Sequence, residues 1–333
     1  MDNLDSEPLA PIYIIEICLC SISMLGSLFV VLVFLCYENL RTWPFELASY
    51  LSFASMINSI SYVLYYINDD KDPVDPVKCR AQAFLMIWFE NSQFIWAMMI
   101  GYAIYESIVL LRDDAEHVNT FKRIGYIAMG FGTPLLYSLV AYFLDYLGPI
   151  GNWCWIGEIP ETKIYLTNNQ DLSRELDQST GVRIVSAILL GFSLLAISLN
   201  WYFIYSTIKS LKDEYTNEKE LILVRGYINK IALFPLIQTV CMFPSYVNKF
   251  FILFQYEYHW ISVVQTLFVS CQGLCYALVY GCNTKTKNAI RDTLRTGFCC
   301  KKDRSQSYAS ESTDDNRSNR MIDEDLKDLE NYK

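Results

Sequence analysis

Long stretches without a single charged side chain constrain this sequence most. No Asp, Glu, Lys or Arg occurs in residues 17–37, 47–68, 124–144, 184–208 and 258–284. A helix needs about 20 mostly apolar residues to cross the hydrocarbon core of a bilayer, so each stretch is long enough to span it. Two further apolar segments, 81–105 and 231–248, bring the number of candidate spans to seven. The pattern predicts a polytopic membrane protein and excludes a soluble enzyme.

The predicted fold is an all-α membrane protein with a bundle of seven transmembrane helices. Backbone polar groups in lipid must be satisfied within their own segment, which favours helices, whereas a β-barrel would show alternating strands of about 10 residues. We place the spans at 13–37, 44–67, 79–111, 124–147, 183–208, 227–254 and 259–281. A receptor-like domain of residues 13–298 is then preceded by a short segment, 1–12, and followed by a tail, 299–333.

Basic residues between the spans predict the orientation of the bundle. Fifteen Lys and Arg lie in the segments that are cytoplasmic if the N-terminus is outside, against four in the segments on the other face. Because cytoplasmic loops carry the excess of Lys and Arg, we expect an extracellular N-terminus and a cytoplasmic C-terminus. G protein-coupled receptors and microbial opsins share this layout, so the layout alone does not decide the function.

The residues after the last span predict a short amphipathic helix on the membrane. Ile290, Leu294 and Phe298 recur every four residues, beside a stripe of basic side chains. Cys299 and Cys300 follow, where palmitoylation would anchor the helix; two reduced thiols are the alternative. The tail beyond is polar, which predicts disorder and phosphorylation. The candidate phosphorylation sites are Ser305, Ser307, Ser310, Ser312 and Thr313.

Cys79 and Cys154 are the two of the eleven cysteines that lie in segments expected to be extracellular. Cys79 begins the third span, and Cys154 lies between Trp153 and Trp155 in the loop after the fourth. Because the extracellular compartment is oxidising, we predict a disulfide that fixes this loop to the third helix; two free thiols are the alternative. The tryptophans suit either the membrane interface or a lid over a pocket.

Charged residues inside the spans are candidates for function, because placing them in a membrane is costly. Glu90 lies about 16 Å along the helix from Cys79 at about 1.5 Å per residue, and it either contacts a ligand or is a structural hydrogen-bond partner. Arg80, Arg183 and Lys249 lie at predicted outer helix ends, where they either converge on an anionic ligand or extend to the lipid headgroups. The candidate ligand-binding residues are Arg80, Glu90, Trp155, Arg183, Asn248 and Lys249.

The sixth span carries two prolines, which bears on movement. Pro235 and Pro244 each remove a backbone donor and favour a kink, so the helix could swing its cytoplasmic end, although kinks also serve ordinary packing. Lys230 and Glu106 lie near the predicted cytoplasmic ends of their helices, where an ion pair that breaks on activation is conceivable.

The sequence lacks the residues that several other functions of membrane proteins require. A retinal pigment needs a lysine in the last span, and 259–281 contains none. Seven-helix zinc hydrolases need several histidines, whereas the chain has two. Gly-rich phosphate loops, CxxC pairs and GxSxG elbows are absent from the membrane boundaries. We therefore expect no enzyme, no cofactor and no metal.

Several motifs in the third to seventh spans resemble one family of receptors. They are Cys79-Arg80-Ala81-Gln82-Ala83-Phe84, Asn152-Trp153-Cys154-Trp155-Ile156, Leu233-Phe234-Pro235-Leu236, Phe243-Pro244, Asn248-Lys249, Gln272-Gly273, Tyr280-Gly281 and Asn283. Their combination is similar to the cyclic-AMP receptor-like G protein-coupled receptors. Rhodopsin-type motifs are missing, since the third span closes on Tyr105-Glu106-Ser107 and the seventh has no Asn-Pro-x-x-Tyr.

The resemblance implies a receptor of the plasma membrane that activates a heterotrimeric G protein through its inner loops. Its tail would be phosphorylated by kinases and bound by arrestin-like proteins. Cyclic AMP is one candidate ligand, but Lys249 stands where arginine is common in that family and offers a point charge instead of a bidentate fork. The candidate coupling residues are Arg112, Lys122, Arg123, Lys209, Lys212 and Arg225.

Other functions stay open at this point. A membrane scaffold of the same layout would bind partners without catalysing nucleotide exchange. A channel or transporter should show broken helix pairs or a charged pathway, and Glu90 is the ionisable residue we expect at mid-membrane. Membrane lipid is an expected partner, and nucleic acid is not.

Overall fold

Seven long helices form where the apolar segments predict them. The computed structural model describes residues 9–66, 76–109, 119–150, 153–157, 169–214, 218–254, 256, 258–281 and 286–291. The helices are α1 (Leu9–Cys36), α2 (Trp43–Tyr66), α3 (Pro76–Ile108), α4 (Thr120–Phe143), α5 (Asn169–Glu214), α6 (Glu218–Leu253) and α7 (His259–Gly281). Each contains at least 22 residues apolar enough to cross a membrane. The predicted all-α bundle is confirmed.

The third helix occupies the centre of the bundle. α3 contacts α2, α4, α5 and α6. In the most apolar stretch of α3, 78% of the residues are buried inside the bundle. The corresponding share is 22% in α4 and 22% in α5. The helices α4 and α5 therefore direct most of their apolar side chains outward, as lipid-facing helices do.

The first and last helices approach each other closely at glycines. The backbone N–H of Gly273 donates a hydrogen bond to Ser23 Oγ at 2.9 Å. A Cβ atom added to Gly26 would lie 2.7 Å from the carbonyl oxygen of Gly273. Small residues allow two helix backbones this separation in membranes, where packing drives association. The contact between α1 and α7 therefore depends on the absence of side chains at these two positions.

The fourth helix contains a π-helical segment, Ala128–Gly132. Trp88 Nε1 on α3 donates a hydrogen bond to the carbonyl oxygen of Phe131, at 2.9 Å. The indole of Trp88 thus bonds to a backbone carbonyl within the segment where α4 departs from the regular α-helical hydrogen-bond pattern.

A short antiparallel hairpin follows α4, where the sequence indicated a loop. Strand β1 (Leu147–Ile150) pairs with β2 (Trp153–Ile156), and Pro149 lies opposite Cys154. Asp145, with φ of 54°, turns the chain between α4 and β1. Strands of four residues are too short to give a periodic signal, which is why the hairpin was not predicted. The hairpin packs on α3 at one end of the bundle, called here the disulfide end.

Helix boundaries differ from the prediction mainly outside the apolar stretches. α5 extends past the predicted 183–208 in both directions, because a helix can continue through polar residues once it leaves the lipid. Residues 286–291 are helical, which covers the start of the predicted amphipathic helix. Arg112, Cys299, Cys300 and the predicted phosphorylation sites lie outside the described residues, as does the rest of 299–333.

Candidate ligand-binding site

A disulfide ties the hairpin to the head of α3. Cys79 on α3 and Cys154 on β2 are bonded, with their Cα atoms 5.3 Å apart. The backbone N–H of Cys154 also donates to Gln82 Oε1 at 3.3 Å. These two links hold β2 against α3 and bury the neighbouring Trp155, whose exposed fraction is 5%. The predicted disulfide is present, and the indole of Trp155 closes the disulfide end of the bundle.

Beneath that indole, a buried ion pair joins α3 to α6. Lys249 Nζ contacts Glu90 Oε1, and the two side chains are 11% and 5% exposed. Ser245 Oγ donates a second hydrogen bond to the same oxygen at 3.2 Å. Lys249 Nζ also lies 4.7 Å from the ring centroid of Trp155, within the range of a cation–π interaction. Three of the predicted ligand-binding residues therefore meet at one point.

A small cavity adjoins this ion pair. Its volume is about 10 Å³, room for about one water molecule. Asn91, Phe94, Leu189, Ser193 and Tyr246 line it together with the ion pair and Trp155. Ser193 Oγ donates to Asn91 Oδ1 at 3.1 Å, which links α5 to α3 on its far wall. The site is enclosed by three helices and the hairpin, and its two charges neutralise each other.

The other predicted ligand-binding residues lie elsewhere. Arg80 forms an ion pair with Asp145 at 3.1 Å, beside the turn into the hairpin. Arg183 is exposed on α5. The amide nitrogen of Asn248 donates to Gln265 Oε1 at 2.7 Å, which joins α6 to α7. Arg80 and Asn248 thus have partners other than the ion pair under Trp155.

A second buried polar cluster, which the sequence reasoning missed, lies among α3, α6 and α7. Gln272 Nε2 lies 2.6 Å from Gln93 Oε1 and also contacts Gln238 Oε1. Tyr276 OH donates to Gln238 Oε1 at 2.6 Å. Gln93 and Gln238 are 0% and 1% exposed. Amide side chains within apolar spans were the available signal.

At the opposite end of the bundle, two ion pairs connect α4 to its neighbours. Lys122 Nζ lies 2.7 Å from Glu106 Oε2 on α3, and Arg123 lies 2.9 Å from Glu46 Oε2 on α2. Tyr50 OH donates a further hydrogen bond to Glu46 at 2.8 Å. Two of the predicted coupling residues are therefore already paired with acids of the bundle.

The remaining predictions at that end are covered only in part. Lys209 is exposed on α5. The side chains of Lys212, Arg225 and Lys230 lie outside the described residues, so the proposed contact between Lys230 and Glu106 does too.

Fold and site together define a seven-helix, multi-pass membrane protein with a lidded polar site at one end. The family described as Slime mold cyclic AMP receptor matches residues 8–286. The chain belongs to this family, and the resemblance found from its motifs is confirmed.

Individual relatives have receptor names as well. G-protein coupled receptor 1 of Arabidopsis thaliana is 23% identical over 292 residues, which cover 82% of this chain and 78% of the relative. Cyclic AMP receptor-like protein A of Dictyostelium discoideum is 24% identical over 41% of this chain, and cyclic AMP receptor 2 of the same organism is 27% identical over 32%. The matched regions are 35% and 26% of those two proteins' lengths.

Proposed function

We propose that this protein is a receptor that passes a small-ligand signal from the disulfide end of the bundle to a heterotrimeric G protein at the opposite end. The observation that carries the proposal is the family match over residues 8–286. The excess of basic residues in one set of loops supports an extracellular disulfide end, and the receptor family supports a plasma-membrane location.

The sixth helix is the element we propose to move. α6 carries Lys249 at the disulfide end and Gln238 in the amide cluster, so it is joined to α3 and α7 at two levels. It also contains Pro235 and Pro244. A ligand that alters the contacts of Lys249 would shift the equilibrium between the resting and the displaced position of α6. The size of the shift equals the difference in the ligand's binding free energy for the two positions.

Coupling would take place at the end that carries the paired cations. Lys122 and Arg123 are held by acids of α3 and α2, so a partner there either binds around these ion pairs or replaces their acidic side chains. Lys209 is exposed on the same bundle end and offers a charge to an incoming partner. Together with Arg112, Lys212 and Arg225, these residues form the proposed coupling surface.

Isolation of the protein from native membranes tests the proposal directly. A Gα subunit is expected to co-purify, and a non-hydrolysable GTP analogue is expected to release most of it, because nucleotide and receptor binding to Gα are reciprocally coupled. Capture that ignores nucleotide would favour the scaffold, and no capture would count against coupling.

A charge reversal on α5 locates the coupling surface. Lys209→Glu is expected to lower Gα capture about fivefold, because an exposed ion pair contributes about 1 kcal/mol to binding. Arg183→Glu is the matched control, because Arg183 is also an exposed cation of α5 but lies toward its other end. Equal losses in both variants would place the coupling surface elsewhere.

Cys299 and Cys300 are expected to carry palmitate. Metabolic labelling with a palmitate analogue should mark the protein, and the Cys299→Ser/Cys300→Ser variant should lose the label, since these thiols follow the amphipathic helix directly. Cys18→Ser is a control that removes an exposed cysteine of α1 and should keep the label. A fully labelled double variant would contradict the anchor.

A further inference from the structure

We propose that the cavity beneath Trp155 is a binding site for a cationic amine, and that the ammonium group of Lys249 occupies it in place of the ligand. The inference rests on the proposed receptor function for its biological role. The chemistry of the site itself is argued below from its contacts alone.

The groups around Lys249 Nζ are complementary to a cation. Glu90 supplies a carboxylate from α3, and Trp155 supplies the face of an indole ring, whose centroid is 4.7 Å away, from β2. Ser245 supports the carboxylate with a hydrogen bond from α6. A carboxylate together with an aromatic face is the arrangement that binds ammonium groups.

Burial requires both charges to remain paired. The side chains of Lys249 and Glu90 are 11% and 5% exposed, so water screens them little. Removal of one partner from a buried pair leaves an uncompensated charge, which is strongly unfavourable. A ligand that enters this site must therefore replace the charge that it displaces.

The two charges differ in where they can go. Lys249 lies near the end of α6, and its flexible four-carbon stem allows the ammonium to move out to the membrane interface. Glu90 lies well inside α3 on a shorter stem, at the cavity that Phe94 and Leu189 also line. Within the described part of the chain, Lys249 is the cation paired with Glu90.

An incoming amine can therefore exchange with Lys249 while Glu90 keeps a cationic partner. An anionic ligand would instead have to separate Glu90 from Lys249 and leave the carboxylate buried without a cation, with the hydroxyl of Ser245 as its hydrogen-bond donor. This asymmetry favours a cation over the anion that the sequence alone suggested for Lys249.

The size of the cavity also favours exchange. A volume of about 10 Å³ holds about one water molecule, so a ligand ammonium must take the place of Lys249 Nζ instead of lying beside it. Phe94 and Tyr246, with ring centroids 5.1 Å apart, lie at the cavity and would contact the apolar body of the ligand. The expected ligand class is an amine with a short alkyl or aromatic body.

Chemical rescue of Lys249→Ala tests the proposal on the full-length protein in lipid nanodiscs. The variant is expected to lower the thermal unfolding midpoint by roughly 5–10 °C, because Glu90 loses its partner. Propylammonium supplies three carbons and an ammonium group, which match the three carbons and the ammonium that the substitution deletes. At saturation it should restore at least half of the lost midpoint, whereas propionate and 1-propanol should not.

Two variants make the result specific. The amine response should disappear in Glu90→Gln/Lys249→Ala, which lacks the carboxylate. Lys249→Met keeps most of the stem and serves as the second host if Lys249→Ala yields no folded protein; because less space is left there, the additives are methylammonium as the cation, acetate as the anion and methanol as the neutral molecule. Rescue by the anion, equal effects of all three additives, or no rescue in either host would overturn the proposal.

The readout separates this inference from the proposed function. Thermal unfolding is measured without a G protein, so a failed Gα capture leaves the amine response unaffected. Conversely, nucleotide-sensitive capture of Gα together with no amine rescue would retain the receptor and reject the cationic ligand.

Discussion

Replacement of Cys79 or Cys154 with Ser is expected to remove most of the folded protein from the membrane. The disulfide joins positions 75 residues apart and anchors β2 to α3. Loss of a native disulfide costs about 2–5 kcal/mol. Here it would also release Trp155 from the site that it covers, so ligand responses should fall together with the yield. Surface immunodetection measures the yield, and the thermal unfolding midpoint of the purified variants measures the lost stability.

The double variant distinguishes a bond from two independent thiols. Once either cysteine is replaced the bond is gone, so Cys79→Ser/Cys154→Ser should be no worse than either single variant. Cys18→Ser, which removes a free and exposed cysteine, should retain the yield of the unaltered protein. Strongly additive losses in the double variant would contradict the disulfide.

Gly273→Ala is expected to separate α1 from α7 and to lower the unfolding midpoint by roughly 5–10 °C. The added methyl group would lie 2.7 Å from Ser23 Oγ and would also meet the backbone carbonyl of Ser23, which cannot move without the helix. Overpacking of this kind costs about 1–3 kcal/mol or more. Gly26→Ala should act in the same way, since its methyl group would face the carbonyl of Gly273 at 2.7 Å.

Gly191→Ala provides the matched control. Gly191 lies on α5, and a Cβ added there would meet nothing within 4 Å. The substitution should leave the midpoint unchanged or raise it, because alanine favours a helix by about 1 kcal/mol over glycine. A loss at Gly191 as large as the loss at Gly273 would show that the α1–α7 contact is not the cause.

The membrane spans are predictable from the sequence because the hydropathy of a segment depends only on the residues of that segment. Sequence reasoning found Glu90 and Lys249 as individual charges but did not pair them, since their contact depends on how α3 and α6 are rotated about their axes. Arg80 shows the same limit. The sequence left an anionic ligand and the lipid headgroups as alternatives for it, and neither predicts its partner Asp145, which a turn after α4 brings to it.

The contacts of uncharged polar residues, and of charged residues at the ends of the spans, were harder to predict. Gln93 and Gln238 each stand out as an amide within an apolar span, but the sequence does not show that they belong to one cluster. Glu46 lies at the margin of a charge-free stretch and looks like an ordinary interfacial acid. The structure buries it against Arg123, a contact set by the packing of α4 and thus invisible to local pattern.

The tethering of Lys249 beside Glu90 sets a threshold for any competing cation. A side chain attached by a short flexible stem has an effective concentration on the order of millimolar or higher at its site. The ammonium of Lys249 is present once in every molecule and is never diluted. The ligand concentration needed to displace it is therefore independent of how much protein a cell makes. Weakly held cations at lower concentrations are excluded, and a cation that does enter must gain enough from its own apolar contacts to outcompete a permanent neighbour.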